Sequence, residues 1–167
     1  MRNPQVFSEE KIPTFDELLN DLSDEEVEQL SQFTEKSEYV PGETIFYENE
    51  AGDALYIIQN GAVEICKMSN QKGREYVPLI TLKEGNVFGE MSFLLETTSW
   101  AAAVAAAYTT IFKITRLQFE HIVEEYPALG CKIYNALCQI LAYRLRRADE
   151  KAKELAELKH ELNQQTL

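Results

Sequence analysis

Residues 40–68, VPGETIFYENEAGDALYIIQNGAVEICKM, decide the fold of this chain. β-Branched, aromatic and leucine side chains fill short runs, and turn residues separate the runs at PG (41–42), AGD (51–53) and NG (60–61). Such short runs, with turn residues about every 8 to 12 positions, indicate antiparallel strands packed as a sandwich or a barrel. The NG pair, flanked by LYIIQ and AVEIC, is typical of a two-residue β-hairpin.

A second informative stretch covers residues 79–94, LITLKEGNVFGEMSFL. Its strand-like beginning is followed by a turn, and then by Gly89 and Glu90 ahead of residues that can start a short helix. The first backbone N–H groups of a helix have no partner inside the helix, and together they carry roughly half a positive charge. The pattern therefore predicts a site for a small anion at FGE (88–90).

The order of these two stretches strongly resembles the cyclic nucleotide-binding domain, as found in catabolite activator proteins and in regulatory subunits of cyclic-AMP-dependent protein kinase. The resemblance runs from about residue 22 to about residue 147. It implies a mainly β fold, a double-stranded β-helix or jelly-roll barrel of eight strands, with helices before it and a long C-terminal helix after it. The family's turns that need a left-handed backbone or a close backbone approach fall on Gly42, Gly61, Gly85, Gly89 and Asn49.

The resemblance also implies a cassette that holds the phosphate and ribose of a cyclic nucleotide. Glu90 matches the glutamate that binds the ribose 2′-hydroxyl, and the backbone of its neighbours faces the phosphate. The predicted ligand-binding residues are Gly89, Glu90, Met91, Ser92, Ser99, Trp100 and Ala101. The ligand expected for the family is cyclic AMP or cyclic GMP, and neither a required cofactor nor a metal site is predicted.

Trp100 stands where the family has the arginine that binds the phosphate. The nearest basic residues in sequence, Lys83, Lys113 and Arg74, fall outside the cassette. Removing one partner of a buried charge pair costs about 2 to 5 kcal/mol, or roughly 30-fold to several thousandfold in affinity. The sequence thus predicts a site that keeps its carboxylate but lacks its guanidinium, in which Trp100 either stacks on a base or fills the phosphate space.

The alanine-rich run at 101–107, AAAVAAA, carries two conflicting signals. Its intrinsic propensity favours a helix, whereas the family has a strand at this position. We expect the strand, because tertiary context often overrides propensity.

Helical spacing of apolar residues flanks the strand-rich region. Ser23, with Glu26 three residues later, predicts a capping box that starts the second of two short N-terminal helices. After TTIFKIT (109–115), which reads as a last strand, the helical pattern returns. It has one break, at Tyr126 and Pro127, and then continues to Asn163.

The long helix contains a heptad pattern. Its two sets are Leu141, Ala148, Leu155 and Leu162, and Leu137, Arg144, Lys151 and Leu158. A homodimer through a modest coiled coil is predicted, because an exposed helix of this length is marginal alone. A single helix that packs on the surface or frays is the alternative.

Three segments follow from these patterns. Residues 1–22 form an N-terminal segment and helix, residues 23–126 form the cyclic nucleotide-binding-like β-barrel domain, and residues 127–167 form the long dimerisation helix.

Composition and motifs narrow the function. The chain has 16 Lys plus Arg against 28 Asp plus Glu, a net charge of −12, which argues against a nucleic-acid or anionic-membrane surface. Only about 20 residues follow the basic cluster at 144–147, so no helix-turn-helix is expected after it. No stretch is apolar enough to cross a membrane, and the start lacks a signal-peptide pattern, so we expect a cytoplasmic protein.

The cysteines and histidines indicate no chemistry. The three cysteines lack metal-ligand spacing and are expected to be buried as small apolar residues, with an intersubunit disulfide or a redox role as the alternative. His121 and His160 fall on predicted helices with no partner pattern, so surface positions explain both. No catalytic set is visible and an enzyme is not expected.

Two functions remain. The first is a non-catalytic, dimeric sensor that binds a small effector and passes the signal through the long helix to an unidentified protein partner. The second is a domain that keeps the fold, does not bind cyclic nucleotides and acts as an interaction or scaffold dimer.

Overall fold

A computed structural model describes residues 14–69 and 76–165, and the first 13 residues of the predicted N-terminal segment lie outside it. Its strands are β1 Glu35–Tyr39, β2 Thr44–Phe46, β3 Ala54–Asn60, β4 Ala62–Met68, β5 Tyr76–Lys83, β6 Val87–Phe88, β7 Ala102–Ala105 and β8 Thr109–Thr115. Its helices are α1 Phe15–Leu18, α2 Asp24–Gln32, α3 Glu90–Leu95, α4 Arg116–Glu125 and α5 Pro127–Gln165.

The strands form two four-stranded antiparallel sheets that pack face to face. One sheet has the order β1-β8-β3-β6 and the other the order β2-β7-β4-β5, which is the strand order of a jelly roll. The jelly roll is therefore confirmed, and so is the strand at the alanine run, where β7 pairs with both β2 and β4. The sheets are stacked and are not closed into a barrel, so the barrel part of the prediction is wrong.

The hairpin predicted at Asn60-Gly61 is also wrong. β3 and β4 flank this turn but belong to different sheets, so the chain crosses there from one layer to the other. Gly61 has a φ of +94°, and an added Cβ would lie only 2.4 Å from the carbonyl oxygen of Tyr108. The side chain of Thr109 binds the backbone N–H and carbonyl of Ala62 at 3.2 and 2.9 Å, which holds this crossing in place.

The N-terminal helices begin as the capping pattern predicts. Ser23 and Glu26 form the expected capping box at the start of α2, and α1 has a second one. The ammonium group of Lys132 on α5 lies 2.7 Å from the carboxylate of Glu26, which ties α2 to the long helix. The ion pair and hydrogen bond with Lys132 lower the pKa of Glu26.

The core has two parts. One fills the interior between the sheets and contains Ile58, Val63, Leu82, Phe88, Ala103 and Ile111. The other lies between the first sheet and the helices and includes Phe15, Leu55, Phe93, Ile114, Phe119, Ile122, Leu129, Ile133 and Leu137. The second part fixes α4 and the first half of α5 against the sheet, as the break at Tyr126-Pro127 allows.

The structure divides the predicted heptad seam of α5 into two parts. Leu137 is fully buried in the core of its own chain, and Leu141 and Arg144 line the cavity described below. The exposed leucines lie further along, at Leu145, Leu155, Leu158 and Leu162. Only the second half of the helix therefore presents a leucine-rich surface to a partner.

The cysteine prediction holds at one position of three. Cys66 is buried, and burial raises the pKa of its thiol. Cys131 and Cys138 are exposed free thiols on α5, so burial was the wrong expectation for both. His121 and His160 are exposed, as predicted. No helix within the described residues is both long and apolar enough to cross a membrane.

Candidate functional site

The predicted cassette begins at a left-handed, crowded backbone position that favours glycine. Gly89 links β6 to α3 with a φ of +79°, and an added Cβ would lie 2.8 Å from the carbonyl oxygen of Ala54. The same Cβ would lie 2.9 Å from the ring of Tyr56, which stacks on Phe88 with centroids 5.1 Å apart. Burial raises the pKa of Tyr56 to about 12. A side chain at position 89 would therefore push α3 away from the sheet.

The loop between β2 and β3 holds the rest of the cassette. The backbone N–H of Asn49 donates to the carbonyl of Ser99, and the N–H of Ser99 donates to the carbonyl of Glu50, both at 2.7 Å. Gly52 lies so close to α3 that an added Cβ would meet the Cβ of Ser92 at 2.1 Å. These contacts fix Ser92 and Ser99 on neighbouring parts of one wall, and both residues are buried.

Glu90 is the buried carboxylate of the site, with 5% of its surface exposed. One guanidinium nitrogen of Arg144 lies 2.6 Å from its Oε1, and the other donates to the carbonyl oxygen of Val87, also at 2.6 Å. Arg144 is on α5, 54 residues away in sequence. The site therefore does contain a guanidinium, and the prediction that it lacks one is wrong.

Sequence reasoning missed Arg144 because it searched the neighbourhood of Glu90 for the charge. One signal pointed to it: Arg144 is a charged residue in a heptad set that begins and ends with leucine, at Leu137 and Leu158. A buried or half-buried charge on such a face needs a partner of opposite sign.

Trp100 lies at the rim of the site and does not fill it. Its side chain is 45% exposed, and the ammonium group of Lys67 lies 5.1 Å from its ring centroid, a cation–π distance. Glu48 accepts hydrogen bonds from Lys67 at 2.7 Å and from the backbone N–H of Met68 at 3.0 Å. The bonds from Lys67 and Met68 lower the pKa of Glu48. Of the two predicted roles for Trp100, filling the phosphate space is therefore wrong, whereas stacking on a base stays a prediction.

These elements enclose a cavity of about 610 Å³, within the range of small-molecule sites. All seven residues predicted from the sequence to bind ligand line it: Gly89, Glu90, Met91, Ser92, Ser99, Trp100 and Ala101. The opposite wall, which sequence reasoning did not assign, comes from α5 and consists of Leu141, Arg144, Leu145, Arg147, Ala148 and Lys151. Phe46, Ile65, Ile80, Leu82 and Phe88 of the sheets complete the lining.

The cavity has the chemistry of a site for a partly apolar, hydroxylated and anionic small molecule. Its sheet walls are apolar and aromatic, Glu90 can accept a hydrogen bond from a hydroxyl, and the cations come from α5. Burial of a flat ring and a few directed polar contacts are typical of nucleotide-sized sites. The position of the residues is now established, whereas their role in binding stays a prediction.

Known proteins are similar to this chain in sequence and in fold. Residues 36–126 match the family model of the cyclic nucleotide-binding domain. A cyclic AMP receptor protein of Thermus thermophilus is 32% identical over 132 residues, which are 79% of this chain and 58% of that protein. The crystal structure of a cyclic nucleotide-binding domain from Methylobacillus flagellatus is similar with a TM-score of 0.73 at 26% identity, covering 82% of this chain and 81% of that one.

A further relative is an enzyme by name. Glutaminase 1 of Bradyrhizobium diazoefficiens is 34% identical over 134 residues, which are 80% of this chain but only 21% of that protein. The chain thus spans less than two thirds of the length of both curated relatives.

Proposed function

Because the chain belongs to the cyclic nucleotide-binding domain family, we propose that it is a non-catalytic sensor module that binds a small, nucleotide-like effector in the cavity between the cassette and α5. Glu90 binds a ribose-type hydroxyl, Trp100 offers its ring to a base, and Met91 and Ser92 contribute the backbone at the start of α3. The proposal includes a cytoplasmic setting, in which the exposed thiols of Cys131 and Cys138 stay reduced.

The contact between Glu90 and Arg144 carries this proposal. The carboxylate that would bind the effector is the same one that anchors α5 at 2.6 Å. An effector that bonds to Glu90 therefore changes the charge and hydrogen bonding around Arg144, so occupancy of the cavity is communicated directly to α5. A ligand can shift such an element only by its differential affinity for two arrangements, and this ion pair gives those arrangements different energies.

The proposed output is a dimer formed through the second half of α5. Leu155 and Leu158 are exposed, and this part of the helix extends past the residues that pack on the sheet. A second copy of the same helix buries these leucines, whereas an isolated helical extension of this kind is marginal in water.

Ligand binding can be measured through Trp100, the only tryptophan of the chain. We expect cyclic AMP, cyclic GMP or a related cyclic nucleotide to change Trp100 fluorescence and to raise the melting temperature. At 100 times its Kd a ligand adds about 2.7 kcal/mol to the free energy of unfolding. Glu90→Gln should weaken binding at least tenfold, or about 1.4 kcal/mol, because it removes a charged acceptor.

Glu96→Gln is the matched control. Glu96 follows α3, is 76% exposed at its side chain and does not line the cavity. Equal binding by the wild type and both variants would show that Glu90 does not bind the ligand. If the chain binds none of these nucleotides at millimolar concentration, the proposed sensor function is wrong.

A second function is favoured by the state of Glu90 itself. The carboxylate already has a guanidinium partner, and the cassette lacks the arginine that the family uses for phosphate. A domain whose buried carboxylate is already paired can serve as an interaction or scaffold dimer without an effector. In that case the dimer forms through α5 while fluorescence and melting temperature stay unchanged across the nucleotide panel.

A further inference from the structure

Three cations of α5 line the cavity: Arg144, Arg147 and Lys151. They are three and four residues apart, so they share one face of the helix. Glu90 is the sole carboxylate among the residues that line the cavity in the described part of the chain, and Arg144 already pairs with it. Two positive charges are thus left over at the site.

Arg147 and Lys151 have no acidic partner within residues 14–69 and 76–165. Their neighbours on the helix do: Arg146 lies 3.4 Å from Glu150 and Lys153 lies 3.7 Å from Glu157. Since the whole chain carries a net charge of −12, an unbalanced positive pair beside an apolar wall is a local exception. Both side chains are exposed where they line the cavity, so solvent screens them in part, and together they still favour an anionic ligand.

The spacing of the two cations limits the kind of anion. Arg147 and Lys151 are one helical turn apart, about 6 Å along the axis. A cyclic mononucleotide carries one phosphodiester charge and would leave one cation unmatched. Two phosphate groups on one molecule would match both.

We infer that the anion subsite of this cavity lies on α5 and not in the cassette, that Arg147 and Lys151 are its cations, and that it accepts a nucleotide with two phosphate groups. This inference rests on the proposed sensor function and names its ligand class. A cyclic dinucleotide and a nucleoside diphosphate share the required chemistry. The apolar sheet wall and Trp100 take the base, while Glu90 takes a ribose hydroxyl.

The test is a fluorescence titration of the full chain with cyclic di-GMP, cyclic di-AMP, GDP, ADP, cyclic GMP and cyclic AMP. We expect at least one ligand with two phosphates to bind about 10-fold or more tightly than either cyclic mononucleotide. The ring closure of the preferred ligand, cyclic or open, identifies which of the two sources applies.

The double variant Arg147→Gln, Lys151→Gln should bind that ligand about 10-fold or more weakly, with a smaller salt dependence. Lys153→Gln, Lys159→Gln is the matched control, because it removes the same charge from exposed positions of α5 that do not line the cavity. The control should keep its affinity within about twofold of the wild type.

Three results would overturn the inference in distinguishable ways. Equal weakening in both double variants would indicate a general charge effect. Binding of a cyclic mononucleotide that depends on Glu90 but not on Arg147 or Lys151 would support the sensor function and reject the α5 subsite. No binding by any of the six nucleotides would reject both.

Discussion

At the residue scale, Gly89 shows how one backbone angle places the whole site. It turns the chain from β6 into α3 with a left-handed conformation, and the space beside it is already filled by Ala54 and Tyr56. Its neighbour in sequence, Glu90, can meet Arg144 only if α3 begins this close to the sheet.

Gly42 provides a natural comparison for Gly89. Both have a strongly positive φ, but an added Cβ at Gly42 meets nothing within 4 Å. We expect Gly42→Ala to lower the free energy of unfolding by about 1 to 2 kcal/mol, from backbone strain alone. Gly89→Ala should cost about 1 to 3 kcal/mol more, because it adds overpacking to the strain. Urea denaturation measures both, and equal losses would mean that Tyr56 yields without cost.

The sequence predicts a single residue well where its conformation depends on nearby residues, and poorly where it depends on distant ones. The family resemblance implied left-handed or close-approach turns at Gly42, Asn49, Gly61, Gly85 and Gly89, and all five have a positive φ, as does Glu96, which was not predicted. Each depends on a local turn, which a short stretch of sequence encodes. The pairing of Glu90 with Arg144 was not predictable in this way, because it depends on which face α5 turns towards the cassette. That rotation is set by the core around Leu129, Ile133 and Leu137.

At the scale of elements, α5 consists of two halves with different tasks. Its first half is buried against α4 and the sheet, and its second half is exposed. A regular heptad pattern runs through both halves, so the sequence alone could not say where core packing ends.

Two identical substitutions separate these halves. Leu137 is 0% exposed and Leu155 is 67% exposed. We expect Leu137→Ala to lower the free energy of unfolding by about 2 to 5 kcal/mol, because it leaves a cavity in the core. In dilute solution, Leu155→Ala should change it by less than about 0.5 kcal/mol. Chemical denaturation at low micromolar protein tests both, and a large loss for Leu155→Ala would show that the second half is packed.

The turn at Asn60-Gly61 gives a similar lesson for strands. The pair correctly indicated a left-handed glycine between two strands. It did not indicate which strands pair, because β3 bonds to β6 and β8 while β4 bonds to β5 and β7. A turn depends on a few neighbouring residues. The pairing of the strands depends instead on the two cores against which the sheets pack.

At the scale of the whole molecule, the exposed leucines of α5 and the net charge act against each other. Burial of Leu155 and Leu158 favours association, while each chain brings a charge of −12 to the dimer. Salt screens this repulsion with a Debye length of about 10 Å at 0.1 M.

We therefore expect a dimer that strengthens with salt. Light scattering at high micromolar concentration should give the mass of two chains, and raising the salt concentration should lower the dimer dissociation constant. Leu155→Glu with Leu158→Glu should give the mass of one chain, because four charges would then meet at the seam. A wild-type monomer under these conditions would reject the dimer.

The position of Arg144 along its helix has a mechanical consequence. α5 is 39 residues long, and about 20 of them, roughly 30 Å, lie beyond the point where Arg144 meets Glu90. The ion pair therefore lies near the point where the exposed part of the helix begins. A tilt of about 10° at this point moves the far end by about 5 Å, a full helical pitch. A small change in the angle of α5 at this point therefore produces a displacement at its far end that another protein chain can detect.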